Sequence, residues 1–237
     1  KTGAFYDNFT YERYLFRINN DLQINTKLGV NLDISFKRTN AISPVVNPIY
    51  EARLMPSIYD DYYSDGRYAI AKEGRNPIAQ LNEGGTNNSI FNKFTSRLAL
   101  VYKPISGLML TALVSPSFDY DKSKNFSKRF TFTNLDGSQS GFSNQPRTNL
   151  FEGRSENLFI TGQFLADYTK EITGGHNLGI LAGYEELFNS FESLGASRSG
   201  FALTGFPYLN SGSQELRDNS GSATESALRS FFGRAKY

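Results

Sequence analysis

Alternation with a period of two constrains this chain more than any other feature. From Phe16 to Ile24, the residues Phe16, Ile18, Leu22 and Ile24 share one parity, Asn20 excepted. Arg17, Asn19, Asp21, Gln23 and Asn25 take the other. After Thr26-Lys27 the pattern resumes, with Leu28, Val30, Leu32, Ile34 and Phe36 set against Gly29, Asn31, Asp33, Ser35 and Lys37. Successive side chains of a strand point to opposite faces, so each run has one apolar and one polar wall. Helical spacing would scatter the charges around a cylinder. The two runs therefore predict a β-hairpin with a very short turn. The unit recurs, giving seven expected strands at about 12–25, 28–38, 93–102, 108–120, 156–168, 176–188 and 227–237. In the second and third hairpins the polar wall is less pure, carrying Val101, Met109, Leu113, Phe159 and Leu181.

The connections alternate as strictly as the strands. Short turns at 103–107 and around Gly174-Gly175 are interleaved with long stretches at roughly 39–92, 121–155 and 189–225. Loops beyond about 12–15 residues are uncommon in compact domains. Three of them on one side of a set of hairpins match an outer-membrane barrel, whose short turns are periplasmic and long loops extracellular. No apolar run approaches the roughly 18 residues of a membrane-spanning helix. The mean hydropathy of −0.42 suggests a soluble protein, but a transmembrane strand hides half its residues from such an average. The fold class expected is all-β: an antiparallel transmembrane β-barrel segment of about seven strands with long extracellular loops.

Tyrosine and proline placement agree with this reading. Tyr102, Tyr168 and Tyr237 each end a strand running toward the short-turn side, and each has the parity of the apolar wall. Phenols at one depth on the lipid face suit a periplasmic-side aromatic girdle, with Phe36, Phe118, Tyr120, Tyr184 and Phe188 as candidates for the opposite one. A tyrosine is also simply a good strand residue; three in register favour the girdle. Six of the eight prolines lie in the long loops, and Pro104 sits in a turn. Only Pro116 interrupts a strand, where a bulge or the end of pairing is expected. Glu186 and Arg229 carry charge on the lipid parity, near the outer ends of their strands, where the cost is smaller.

The inventory excludes most chemistry. There is no cysteine, hence no disulfide scaffold, thiolate catalysis or Cys-ligated metal. A single histidine, His176, rules out any site needing two imidazoles from this chain and reads as a turn residue. No nucleophile-elbow, P-loop or H-E-x-x-H pattern occurs. A net charge of +2 gives no case for a nucleic-acid partner. The chain is thus read as a non-enzyme.

Two sets of residues remain as candidate contacts. The segment Tyr59-Asp60-Asp61-Tyr62-Tyr63-Ser64-Asp65-Gly66-Arg67-Tyr68 would form an extracellular lip, in which Tyr59, Asp60, Asp61, Tyr62, Tyr63, Asp65 and Arg67 touch a substrate or partner. The plainer reading is a solvated loop whose aromatics pack on their own backbone. Its aspartates suggest Ca²⁺, but their spacing does not match an EF-hand loop, and no cofactor is expected. The second set is the polar wall: Arg17, Asp21, Asp33, Lys37, Arg97, Asp119, Gln163, Asp167, Glu185 and Arg234. These would face the lumen, lining a path, holding a plug, or pairing with one another and with water.

Five segments then spell a resemblance. Ser230-Phe231-Phe232-Gly233-Arg234-Ala235-Lys236-Tyr237 resembles the S-F-F-G-R-x-x-Y strand of SusC-like TonB-dependent transporters, the SusC/RagA family of Bacteroidetes outer membranes. His176-Asn177-Leu178 through Leu181-Ala182-Gly183-Tyr184-Glu185 resembles the family's H-x-L…L-A-G-Y-E strand. Asn76-Pro77-Ile78-Ala79 resembles its N-P-x-A loop element, and Ile105-Ser106-Gly107-Leu108 its I-x-G-L turn. Arg13-Tyr14 through Arg17-Ile18-Asn19 resembles its R-Y…R-x-N strand. The resemblance implies a twenty-two-stranded barrel filled by an N-terminal plug and energised through TonB. It also implies a SusD-like surface lipoprotein partner, outer-membrane lipid around the wall, and import of glycan oligomers or peptides. Seven strands are too few and odd in number for a bacterial single-chain barrel, so the chain reads as the middle of a longer polypeptide. The alternatives are a passive porin-like barrel and a secreted β-rich binding module.

Overall fold

The computed structural model describes residues 9–172 and 174–237. In chain order the elements are β1 (Thr10–Gln23), β2 (Leu28–Pro44), α1 (Pro48–Arg53), α2 (Pro77–Glu83), β3 (Gly85–Tyr102), β4 (Leu108–Ser127), β5 (Thr131–Thr133), β6 (Gln139–Ser143), β7 (Asn149–Ile172), β8 (His176–Ser199) and β9 (Arg217–Lys236). Seven strands form one antiparallel sheet in the order β1-β2-β3-β4-β7-β8-β9, every neighbour adjacent in that sequence of strands. The short β5 and β6 pair only with each other.

The seven strands are those the alternation predicts, but they run much further on the long-loop side. β2 continues to Pro44, β3 begins at Gly85, and β4 reaches Ser127. β7 begins at Asn149, β8 continues to Ser199, and β9 begins at Arg217. The loops correspondingly shrink to 45–84, 128–148 and 200–216. The extensions escape a period-two search for a physical reason. Polar residues occupy both faces there, as in Lys122-Ser123-Lys124-Asn125 and Glu192-Ser193, and the apolar ones, such as Phe126, Leu150 and Phe151, do not keep to one parity. A hydrogen-bonded ladder needs paired amides and carbonyls, not an apolar side. β1 departs the other way, ending at Gln23 because Asn25 is drawn into the turn: its Oδ1 accepts from the amides of Lys27 and Leu28 at 2.8 and 3.0 Å.

Pro116 causes neither a bulge nor an end to pairing. Thr95 pairs with Ser117 and Leu98 with Val114, so the β3–β4 register is the same on both sides of the gap. On its other edge Pro116 still faces Ile160. The Ser115 hydroxyl donates to the Ser96 carbonyl at 2.9 Å, supplying a bond within that gap.

Little of the sheet is buried on itself; the well-covered residues lie where loops fold over the long-loop ends of the strands. Leu150, fully buried, packs with Phe126 and Phe201 and the half-covered Leu209. The 45–84 loop is organised by Asn76, also fully buried. It caps α2 by accepting from Ala79 N at 2.9 Å, and its Nδ2 donates to Asp61 O (2.7 Å) and Ala69 O (2.9 Å). Pro77 then starts the helix where a missing N–H costs nothing.

Candidate functional site

The register sorts the sheet into two continuous faces. Ile34 stands opposite Ile18 and Ser96, Leu32 opposite Leu98, Leu98 opposite Val114, and Ala112 opposite Phe164. Phe164 in turn faces Tyr184, and Tyr184 faces Phe231. All of these share the apolar face. Phe16, Phe36, Phe94 and Phe118 lie in register across four adjacent strands and form an aromatic rung on it. Sequence reasoning had singled out Phe36 and Phe118; Phe16 and Phe94 needed the register.

Tyr102, Tyr168 and Tyr237 are on this same face, at the short-turn end. Tyr102 is level with Leu110, and hence with Ala166. Tyr168 lies two residues beyond Ala166 and is level with Ile180 and Ala235. Tyr237 lies two residues beyond Ala235. Each hairpin thus steps the phenol by two residues. At about 3.3 Å per residue and about 4.8 Å per strand, that slip corresponds to a line crossing the strands at about 35°, the tilt of barrel strands. Tyr237 Oη shares a 2.7 Å hydrogen bond with His176 Nδ1, and the two rings stack.

The ten polar-wall candidates all fall on the opposite face, and several pair across strands. Arg97 reaches Asp33 at 3.4 Å, and Asn19 also donates to Asp33. Asn31 donates to Asp21, and Gln163 to Glu185. Lys93 binds Asp119 at 3.1 Å, a partner the pattern alone did not name. Asp167 accepts from Thr169 Oγ1 at 3.4 Å. Arg17, Lys37 and Arg234 occupy the same wall by register, opposite Ser35, Leu15 and Leu181 respectively. On the apolar face Glu186 and Arg229 are directly opposite and joined at 2.8 Å, with Tyr184 Oη donating to Glu186 at 3.0 Å. Their opposite charges neutralise each other on that face.

The loop segment from Tyr59 to Arg67 is largely engaged with the chain itself. Arg67 is a clamp: Nε donates to Asp65 Oδ2 (2.8 Å), Nη1 to Thr133 Oγ1 (2.8 Å) and Asn134 O (2.9 Å), and Nη2 to Leu135 O (3.1 Å). It ties the 45–84 loop to the β5–β6 hairpin. The Arg67 guanidinium, then its backbone amide, hold the Asp65 carboxyl below the usual carboxylate range. Tyr63 lies under the Arg67 guanidinium, and its hydroxyl accepts from Ile70 N at 3.2 Å. Tyr62 stacks on Tyr68. Asp61 contributes through its carbonyl, which accepts from Ala69 N and Asn76 Nδ2. Tyr59 and Asp60 stay exposed beside Ile58, which is 83% exposed.

No family model matches the sequence, and none of the curated proteins does. Solved structures do match. The RagAB peptide transporter superposes with a TM-score of 0.76 at 20% identity, over 96% of this chain and 26% of the matched one. The RagAB peptide importer in its open-open and closed-closed states gives TM-scores of 0.75 and 0.74, with the same identity and coverage. The chain therefore has the fold of a stretch of a transporter chain and spans about a quarter of its length. That is the fold to which the SusC/RagA resemblance pointed, and the neighbours are named as transporters, not enzymes.

Proposed function

We propose that this chain is part of the barrel wall of a SusC-like TonB-dependent transporter of a Gram-negative outer membrane, importing glycan oligomers or peptides. The observation that carries the reading is the register. One face is apolar along the stretch between the stepped tyrosines and the phenylalanine rung, while the other carries the charged and amide side chains, with apolar residues such as Val101, Leu113 and Leu181 among them. In that reading the apolar face meets lipid between two aromatic levels, and Tyr102, Tyr168 and Tyr237 form the periplasmic girdle. The polar wall faces the lumen, where its cross-strand pairs leave it solvated and self-neutralised. The long-loop end is extracellular, and its exposed Tyr59, Asp60 and Tyr62 are the lip residues available to a SusD-like lipoprotein.

The test uses the full-length gene product. It should fractionate with the outer membrane and show a heat-modifiable band on gels, and uptake of its oligomer should stop when TonB is deleted. Uptake that survives without TonB would establish a passive porin-like barrel. A monomer soluble without detergent would establish a secreted module.

A further inference from the structure

The polar wall is not uniform. Its formal charges lie mostly on β1–β4 and toward the short-turn end. On β7 from Asn149 to Gln163, on β8 from Asn189 to Ser199 and on β9 from Ser220 to Ser226, every residue of polar-wall parity is uncharged. Within this neutral area Gly153 and Gly195 stand opposite each other, and the Phe151 ring leans over both. A Cβ on Gly153 would come within 3.1 Å of Phe151 Cε1, and one on Gly195 within 3.0 Å of Cε2. The absence of side chains at this pair lets the ring lie down on the wall instead of standing off it, with 38% of the residue open. Ser123 and Ser155 flank it on one side, Ser193 and Ser220 on the other. Together they border a hollow of about 360 Å³, which Phe91 also lines. An adjoining hollow of about 450 Å³ shares Asp121 and Ser155 and adds Asn157, Asn189 and Thr224.

We propose that the Phe151 shelf is a binding subsite for a neutral sugar ring of an oligosaccharide, stacked on the phenyl and hydrogen-bonded through its hydroxyls by the surrounding serines. The inference rests on the barrel reading above and concerns the extracellular part of the lumen. Phe151 is seventeen residues from Tyr168, about 45 Å along the barrel axis at a tilt of about 35°, well above a hydrocarbon band of about 25 Å. Sugar rings offer an apolar C–H face to an aromatic and hydroxyls that both donate and accept, which is what serine and asparagine match. Peptides fit less well. The charges around the two hollows are few: Asp121, Asp119, which Lys93 already binds, and Lys122 and Arg154, which have the parity of the opposite face. Nor is there a free strand edge for main-chain pairing, because β4, β7 and β8 are paired on both sides.

The test is binding of a library of neutral oligosaccharides of four to eight sugars, and of a parallel peptide library, to the detergent-purified full-length transporter with its partner lipoprotein. Phe151→Ala should weaken oligosaccharide binding about tenfold. Phe151→Trp should retain it, with ligand-dependent fluorescence from the new indole. Gly195→Val, which keeps the ring but lifts it, should weaken binding as Phe151→Ala does. Equal oligosaccharide affinity in wild type and Phe151→Ala would overturn the subsite, as would Phe151-dependent capture of peptides only, or no oligosaccharide binding by a correctly assembled protein. Outer-membrane assembly is scored separately by heat-modifiability. Phe151-dependent sugar binding by a protein that does not assemble there would sink the transporter reading and keep the subsite.

Discussion

Asn76 shows how much one side chain can organise. Its three hydrogen bonds fix a helix start and two carbonyls of a loop with little hydrophobic core of its own. Asn76→Ala would bury Asp61 O and Ala69 O with fewer partners, a loss of about 3 kcal/mol for the loop. Limited proteolysis should then cut between residues 58 and 84 in the variant and spare the wild type. The Arg67 clamp gives a pH dependence of definite sign. The Asp65 carboxyl titrates below its unfolded value because Arg67 hydrogen-bonds its charged form. The clamp's contribution is therefore complete above the ordinary carboxylate range and is lost as pH falls through the lowered value. Amide protection of the 58–74 and 128–145 segments, relative to the intrinsic exchange rate at each pH, should be flat from neutral pH down to that range and fall below it. Asp65→Asn should remove that pH-dependent fall. That Arg67 is a clamp could not be read from sequence, since its acceptors Thr133, Asn134 and Leu135 lie more than sixty residues away.

At the scale of elements, hairpins were legible wherever one face had to be apolar, as in Phe16–Gln23 and Leu28–Phe36. They became illegible where that demand ended. Ser123 to Ser127 and Glu192 to Ser199 continue as strand because their neighbours hold them, not because of any pattern of their own. The upper end of β3 also depends on a backbone that only glycine enters easily. Gly85 has φ +97°, and a Cβ there would meet the Phe126 carbonyl oxygen at 1.9 Å. Gly85→Ala should cost on the order of 1–3 kcal/mol through backbone strain, and more if the contact is not relieved. The loss should appear as a lower midpoint of heat-modifiability, with the β1–β2 hairpin unaffected in exchange measurements.

At the scale of the whole molecule, β1 and β9 are the two outermost strands of the sheet among the described residues. A strand that pairs on one side only is a template for further pairing. On the proposed barrel reading, residues 1–237 expressed alone should aggregate or pair edge to edge, and recover a defined state only as part of a closed barrel. A monodisperse, detergent-free monomer by light scattering would contradict this. The candidate site was half legible at this scale. Which residues share the polar face followed from parity, but their partition into a charged and a neutral area followed from registers spanning seven strands.

The overlong strands have a mechanical consequence. β7 and β8 each run for 24 residues, about twice what a bilayer crossing of roughly 9–11 residues requires. Both are laddered to neighbours nearly end to end, so the surplus is stiff sheet, not slack tether. A wall braced in this way resists changes of bore, because widening it would break hydrogen bonds along a whole seam. In the proposed barrel, opening and closing of the mouth would then fall to a separate body above the rim, with the wall as its fixed seat.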